Sequence, residues 1–289
     1  MRIKDLGEFS LIKRLAKDIK SSARVIAGIG DDAAVLRHTR DKYLLFTSDM
    51  LVEGKHFRKT SGGYLVGKKS LSVNISDIAA MGGVPMFAVI SLGVPPSLDL
   101  KYVDALYKGI RDVARRFRID LVGGDTVASE KIVINVSLLG EVEKKNLVLR
   151  SGAKQGDAIF VTGALGGSLK GKHLDFIPRL EEARFLVKNF NINSMIDVSD
   201  GLFSDLDHIL KSSRKGALVY EKAVPISKHA KDFKSAVRDG EDFELVFTMP
   251  RAEGRKLVKK WPFKTRLSEI GKVCKDRRKI TGARGYTHF

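Results

Sequence analysis

The sequence has little cysteine and no long apolar run. Cys274 stands alone, so an internal disulfide and a paired-thiolate metal site are both excluded. No stretch of about 18 apolar residues could form a membrane-spanning helix. The first five residues, which read MRIKD, lack the apolar core of a signal peptide. We therefore expect a soluble chain without a membrane partner, in the reducing environment of the cytoplasm.

Negative charge is scarce relative to positive charge. The chain of 289 residues carries 52 Lys and Arg against 34 Asp and Glu, a formal net charge of +18. Such an excess favours anionic partners such as nucleic acids or phosphorylated small molecules. The basic residues are scattered at spacings typical of solvated helix faces, and no strand interleaves them with aromatic residues. We therefore expect no nucleic-acid partner.

The apolar content is high enough for a folded core. Apolar residues make up 43% and aromatic residues 8% of the chain, and the length allows two domains. Some predicted strands alternate apolar and polar residues while others are continuously apolar, which indicates an α+β fold rather than a doubly wound parallel sheet. We predict helices over 8–20, 66–81, 99–117, 179–190 and 202–211, and strands over 43–47, 86–94, 132–142, 157–162 and 243–248.

A polar, glycine-containing stretch at 144–156 predicts a boundary between two halves. We therefore expect domains 1–143 and 144–289. The opening helix should place Phe9, Ile12, Leu15 and Ile19 on one face.

Two glycine-rich segments resemble nucleotide-binding motifs but lack the required chemistry. Residues 28–33 fit a dinucleotide-binding spacing, yet Asp31 and Asp32 would repel a phosphate unless cations intervened. Residues 166–173 resemble a P-loop, but His173 occupies the position of the Ser or Thr that holds magnesium. We reject both interpretations.

Aspartates next to glycine or hydroxyl residues are the informative pattern. Singly, each could be a helix cap or a turn residue. Together, without histidine or cysteine partners, they are the hard oxygen ligands that Mg²⁺ prefers, often alongside substrate phosphates. This pattern predicts a nucleotide site for phosphoryl transfer. The aspartates are Asp31, Asp32, Asp49, Asp77, Asp125, Asp197 and Asp200.

These segments, taken in order, resemble the motif series of the thiamine-monophosphate kinase family. The matching blocks are 28–34, 47–57, 74–82, 123–126, 150–153, 197–202 and 240–245, with a last one at 285–289. The resemblance covers nearly the whole chain. It implies a phosphotransferase with a phosphate acceptor, which moves the γ-phosphoryl group of ATP to thiamine monophosphate with several Mg²⁺ ions.

The resemblance also implies a fold and an assembly. The fold is the two-domain one shared with aminoimidazole ribonucleotide synthetase. In it the N-terminal half, which binds ATP and Mg²⁺, forms an intersubunit β-barrel in a homodimer. A C-terminal α/β half packs beside it.

Carried over position by position, the resemblance implies three sets of residues. Asp49, Asp125 and Arg150 would be catalytic. The acceptor would contact His56, Glu241 and Tyr286. ATP would contact Tyr107, Gly124, Asp125, Arg150 and Ser199. Magnesium would be held by Asp31, Thr47, Ser48, Asp49, Asp77, Asp125, Asp197 and Asp200.

Several individual roles stay open at this point. Tyr107 lies on the apolar stripe of its helix and could be a core residue. His56 could be a surface histidine. Glu241 and Asp242 are equally good candidates to face the cleft, and Asp32 could lie behind the metal ligands.

The expected chemistry needs no general base. The acceptor is a phosphate monoester with a second pKa of about 6, so its oxygen is mostly deprotonated at pH 7. The difficulty is to bring two polyanions together in line, which Mg²⁺ and Arg150 would ease by neutralising charge.

Two departures and one alternative remain. Phe243 stands where the family pattern has tyrosine, and the segment 166–184 is shorter than expected, which affects how the thiamine side of the site closes.

The alternative is another ATP-dependent enzyme of the same superfamily, such as aminoimidazole ribonucleotide synthetase. Selenophosphate synthetase would need a reactive cysteine near the N-terminus, and a hydrogenase-maturation dehydratase would end in cysteine.

Overall fold

The fold is mixed α and β, in a computed structural model that describes residues 7–275. The helices are α1 (Glu8–Leu15), α2 (Gly63–Ala80), α3 (Leu100–Phe117), α4 (Leu180–Asn189), α5 (Leu202–Ser213), α6 (Phe233–Ala236) and α7 (Arg251–Lys260). The strands are β1 (Val25–Ala27), β2 (Ala34–Arg37), β3 (Lys42–Val52), β4 (Val84–Val94), β5 (Asp120–Ala128), β6 (Val133–Glu143), β7 (Ala158–Thr162), β8 (Ser194–Asp197), β9 (Gly216–Val219), β10 (Leu245–Met249) and β11 (Leu267–Cys274).

The strands form two sheets, one in each half. The first has six strands in the order β1-β2-β3-β6-β4-β5, and the second has five in the order β8-β10-β7-β11-β9. Strands β4 and β5 pair in parallel, whereas the other pairs in the described chain are antiparallel. The predicted α+β class is therefore confirmed.

The first sheet has one covered face and one open face. Along β6, Ile134 and Val136 are fully buried against the helical layer, while Asn135 and Ser137 point the other way. This confirms the alternation that the sequence predicted. On the open face, Met50 is 56% and Val89 41% exposed.

Helix α2 is the central element of the molecule. It packs against β3 and β6 of the first sheet and against α4 and β8 of the second half. Its close contact with α3 depends on glycine, because a Cβ on Gly67 would lie 1.9 Å from the carbonyl oxygen of Leu106. Buried on most sides, α2 reaches the second half through two polar side chains: Ser76 donates to Asp197, and Lys69 pairs with Glu241.

Some element predictions were wrong in extent. The opening helix ends at Leu15 rather than at residue 20, so Ile19 lies beyond the helix, and Leu15 and Ile19 are 67% and 62% exposed. Strand β3 runs past the predicted end at Thr47 to Val52, because the polar residues beyond Thr47 continue the strand's alternation. The boundary region 144–156 lies between β6 and β7, which belong to different sheets.

Within residues 7–275, no helix combines the length and the apolar character required to cross a membrane.

Candidate active site

A cleft of about 490 Å³ opens between the two halves. Its lining combines residues of β3 and α2 from the first half with the segments that follow β8 and precede β10 in the second. Candidate residues from the sequence that line it are Asp49, His56, Asp77, Asp197, Ser199, Asp200 and Glu241.

Three carboxylates meet at one end of the cleft. Oxygen atoms of Asp32, Asp77 and Asp197 all lie within 4.8 Å of one another. Asp32 comes from the turn between β1 and β2, Asp77 from the last turn of α2, and Asp197 from the end of β8. We call these three residues the acidic centre, and Asp49 of β3 adds its charge to it.

Burial and mutual repulsion dominate the electrostatics of the acidic centre. Burial, with the charge of Asp32, raises the pKa of Asp197 to about 8. Burial and the charges of Asp49 and Asp197 likewise raise the pKa of Asp77 well above its ordinary range. Thr47 Oγ1 donates to Asp77 Oδ2 at 2.5 Å, and Ser76 Oγ donates to Asp197 Oδ2 at 2.6 Å. These hydroxyl groups fix the direction of both carboxylates but do not neutralise them.

Arg150 supplies a positive charge at the edge of the acidic centre. Its guanidinium donates to Asp32 Oδ1 at 2.7 Å, and its backbone amide donates to Asp31 Oδ1 at 3.1 Å. Burial, with the charge of Asp32, raises the pKa of Asp31 to about 6. Asp32 Oδ2 is buried and has no hydrogen-bond partner among the described residues.

The donor set of the acidic centre fits Mg²⁺. It consists of hard carboxylate oxygens, as this ion prefers. Its negative charge exceeds the charge of Arg150, and a buried carboxylate oxygen without a partner is unfavourable unless a cation satisfies it. The arrangement therefore suits a divalent cation and the phosphates that accompany it.

The other end of the cleft is less acidic. Val52 N donates to Nδ1 of His56 at 2.9 Å, which orients the ring. Lys69, buried in α2, pairs with Glu241 and donates to the carbonyl oxygen of His56 at 2.9 Å. Phe243 contributes an apolar wall.

The choice between Glu241 and Asp242 is decided by a loop contact. Asp242 is 1% exposed and accepts hydrogen bonds from the amide of Gly166, at 2.9 Å, and from the hydroxyl of Ser168. Glu241 consequently faces the cleft. The segment 166–173 packs as a loop around Asp242, in agreement with the rejection of a P-loop.

Comparison with known proteins identifies the family and the fold of this chain. The family models described as AIR synthase related protein match in the N-terminal domain at residues 30–142 and in the C-terminal domain at residues 161–282. A thiamine-monophosphate kinase of Aquifex aeolicus is 33% identical with 100% of both chains covered, and that of Bacillus subtilis is 36% identical over 86% of this chain and 85% of its own. A solved structure described as "AaThiL complexed with AMPPCP and TMP" superposes with a TM-score of 0.88 and 32% identity, covering 100% of this chain and 99% of that one.

The chain belongs to the thiamine-monophosphate kinase family. Its two-domain fold is that of the AIR synthase related proteins. The resemblance inferred from the ordered motifs is thereby confirmed.

Two residues that the family resemblance assigns to magnesium do not reach the acidic centre within one chain. Ser48 lies on the open face of the first sheet, where its hydroxyl contacts Ser137 Oγ at 3.0 Å. Asp125 is exposed on β5, and strands β6 and β4 separate it from β3. At a strand spacing of about 4.8 Å, the backbones of β3 and β5 are about 14 Å apart. Neighbouring residues of a strand point to opposite faces, so Asp49 faces the cleft while Ser48 does not.

Two residues that the resemblance assigns to ATP also lie outside the cleft lining, namely Tyr107 and Gly124. Tyr107 packs against the hydrophobic core, as its position on an apolar stripe allowed. Gly124 lies in β5, where a Cβ would come within 2.0 Å of the carbonyl oxygen of Ile90, so close strand pairing is sufficient reason for glycine. Tyr286 lies outside the described residues.

For some residues of the site the sequence left the role open or gave no prediction. Asp32 was among the aspartates singled out, with its role open, and the structure makes it a member of the acidic centre. Asp205 was not considered, although it is buried and accepts from the amide of Asp200 at 3.1 Å. Lys69 was also missed, and the signal for it was a polar stripe along α2 that includes Ser76 and Asp77.

Proposed function

We propose that this chain transfers the γ-phosphoryl group of ATP to thiamine monophosphate, which yields thiamine diphosphate and ADP. The observation that carries the proposal is one cleft with an acidic, cation-binding end and, at its other end, His56 and Glu241. Family membership supports the same reaction, as does the likeness to a structure described as complexed with AMPPCP and TMP.

We assign the metal-binding role to carboxylates of the cleft. Asp32, Asp49, Asp77 and Asp197 would hold Mg²⁺, with Asp31 and Asp200 beside them, and Thr47 would orient Asp77. The bound cation would neutralise charge on the phosphates of both substrates.

Arg150 acts on the donor nucleotide. Its guanidinium, held by Asp32, carries a fixed positive charge beside the acidic centre. A preoriented charge of this kind stabilises the negative charge that spreads over the transferred group in the transition state. Ser199, in the segment after β8, would contact ATP from the second half.

The acceptor reacts without a base from the protein. A terminal oxygen of the thiamine phosphate forms a bond to the γ-phosphorus while the bond from that phosphorus to the β–γ bridging oxygen breaks. The electron pair leaves with ADP, and no proton has to move because the acceptor oxygen is mostly ionised at pH 7. His56 and Glu241 therefore bind and orient the acceptor rather than activate it.

We further propose that the chain is a homodimer joined through the open face of the first sheet. That face carries Phe46, Met50, Phe87 and Val89, with exposures of 39% to 56%. Apolar surface of this kind commonly marks a protein interface. The exposed strand β5 at the edge of the sheet adds unpaired backbone groups.

A homodimer would also explain the position of Asp125. Because Asp125 and Gly124 are too far from Asp49 within one chain, they would serve the acidic centre of the other subunit. The same assembly would cover Ser48. We place this enzyme in the cytoplasm, where both of its proposed substrates would be available.

A coupled assay tests the reaction directly. Purified protein, ATP and Mg²⁺ are incubated with either thiamine monophosphate or thiamine, and the products are separated by chromatography. We expect thiamine diphosphate from the monophosphate alone, and no product after chelation. ATP turnover with a different acceptor would instead favour another reaction of the same superfamily.

A further inference from the structure

Lys69 is a buried charge that the proposed reaction has not yet used. Its side chain is 0% exposed, although it stands in the wall of the cleft. Removing an ammonium group from water is unfavourable unless partners replace the lost hydration. Burial accordingly lowers the pKa of Lys69, and the charge of Glu241 acts in the opposite direction.

The partners of Lys69 are the two cleft residues at the acceptor end. The ammonium group donates to Glu241 Oε2 and, at 2.9 Å, to the carbonyl oxygen of His56. His56 follows β3 in the first half, whereas Glu241 precedes β10 in the second. One side chain of α2 therefore joins both walls of the cleft.

The backbone of Glu241 is held in an unusual conformation. Its φ angle is 55°, in the left-handed region that non-glycine residues rarely adopt. The amide of Glu241 donates to the carbonyl oxygen of Ser199 at 2.7 Å. The side chain of the next residue, Asp242, accepts a hydrogen bond from the amide of Gly166 and so anchors the backbone to that loop. With the backbone fixed in this way, the contact with Lys69 determines where the carboxylate points.

Stability alone does not account for Lys69. A buried ion pair can often be replaced by apolar side chains without loss of stability. The neighbouring Lys68 also links α2 to the second half, through an ion pair with Asp175. The side chains of Lys68 and Asp175 are 24% and 56% exposed, and neither lines the cleft. Joining the two halves therefore does not require a buried lysine at position 69.

We propose that Lys69 is a positioning residue for the phosphoryl acceptor. It sets the separation between Glu241 and the backbone of His56 and keeps the Glu241 carboxylate directed along the cleft. The inference rests on the proposed function, since it takes the acceptor of this cleft to be thiamine monophosphate. It predicts an effect on the acceptor and none on ATP, whose phosphates we place at the acidic end of the cleft.

A double-mutant cycle with a matched control tests this role. The variants are Lys69→Met, Glu241→Gln and the double variant, with Lys68→Met as the control because it removes a neighbouring lysine from the same helix. KM and kcat are measured separately for thiamine monophosphate and for ATP, and thermal melting reports folding.

We expect Lys69→Met to raise the KM for thiamine monophosphate by about tenfold or more, which corresponds to losing a hydrogen bond to a charged group. The KM for ATP should stay within about twofold of the wild type. Lys68→Met should match the wild type for both substrates. The double variant should be no worse than about threefold beyond the poorer single variant, because both substitutions break the same contact.

Each other outcome overturns a specific statement. A wild type that forms no thiamine diphosphate would refute the proposed function, and the acceptor role of Lys69 with it. If the wild type is active, any of three results would refute the role of Lys69 alone. These are equal KM changes for both substrates in Lys69→Met, no KM change for either substrate in that variant, and fully multiplicative effects of the two substitutions in the cycle. If Lys69→Met does not fold, Lys69→Arg must show the same selective rise, since a planar guanidinium cannot reproduce the contacts of an ammonium group.

Discussion

The guanidinium of Arg150 lies 2.7 Å from Asp32 Oδ1 and joins the start of the second half to the turn that contributes Asp32 to the acidic centre. This single contact links the positive group proposed for ATP to a carboxylate proposed for Mg²⁺. The two halves of the chain thus contribute jointly to one site.

Replacing Arg150 with alanine should lower kcat by about two orders of magnitude, the size of effect seen when one preoriented transition-state contact is lost. The KM for ATP should rise as well, and the KM for thiamine monophosphate should change little. Steady-state kinetics with each substrate varied in turn measure this. Arg111→Ala, an exposed position on α3, is the control, and an Arg150→Ala variant with full activity would contradict the assignment.

Replacing Asp49 or Asp77 should abolish cation binding without unfolding the chain. Asp49→Ala removes a charge that raises the pKa of Asp77, so the metal-free protein should be as stable as the wild type or more so. Turnover should fall by orders of magnitude. Circular dichroism, thermal melting and activity are compared, with Asp104→Ala on the exposed side of α3 as control. Near-normal activity in both variants would refute the metal assignment.

The affinity for Mg²⁺ should increase with pH. Because Asp197 has a pKa raised to about 8, the metal-free site retains a proton at pH 6 that the cation has to displace. The folded state binds more protons than the unfolded chain between about pH 4 and pH 8, so metal-free stability should fall as pH rises through that window. Mg²⁺ should offset the loss.

Calorimetric titration with Mg²⁺ at about pH 6.5 and about pH 8.5, in buffers of different ionisation enthalpy, measures both affinity and proton release. An affinity that is the same at the two pH values, or release of no protons, would contradict this electrostatic account.

Mixing two inactive variants should restore activity if Asp125 serves the other subunit. Asp49→Ala and Asp125→Ala chains, unfolded and refolded together, should form mixed dimers with one intact site and one doubly damaged site. Random pairing makes half of the dimers mixed, so recovery should approach about a quarter of wild-type activity. Recovery of no activity, with light scattering showing a dimer, would mean that Asp49 and Asp125 of the same chain serve one site.

The position of Phe243 shows how a departure from the family pattern is accommodated. Its ring stacks on Phe176 with centroids 4.1 Å apart and an interplanar angle of 8°, and Val73 of α2 completes a small apolar cluster. The shortened segment 166–184 thereby packs, through Phe176, against a residue of the cleft wall. No sequence pattern predicts this stack, because it joins a loop, a helix and a strand start that are far apart in the chain.

The sequence by itself determined features that depend on local residue patterns or on the order of motifs along the chain. Alternation on β6, the apolar stripe of α3 and the order of the aspartate motifs were sufficient for the fold class and the family. Local periodicity depends on which residues face a core, and this information is contained in short segments. The predicted extent of the opening helix was wrong because an amphipathic pattern does not show whether a surface is present for the helix to pack against.

Only the tertiary structure decided which side chains meet. Asp49 and Ser48 are adjacent in the sequence, yet the pleat of β3 sends one into the cleft and the other to the open face of the sheet. Likewise, Glu241 faces the cleft and Asp242 the loop, because hydrogen bonds from Gly166 and Ser168 hold Asp242. The pKa of Asp197 also depends on burial by distant segments, since desolvation and the charge of Asp32 exist only once the two halves have packed together.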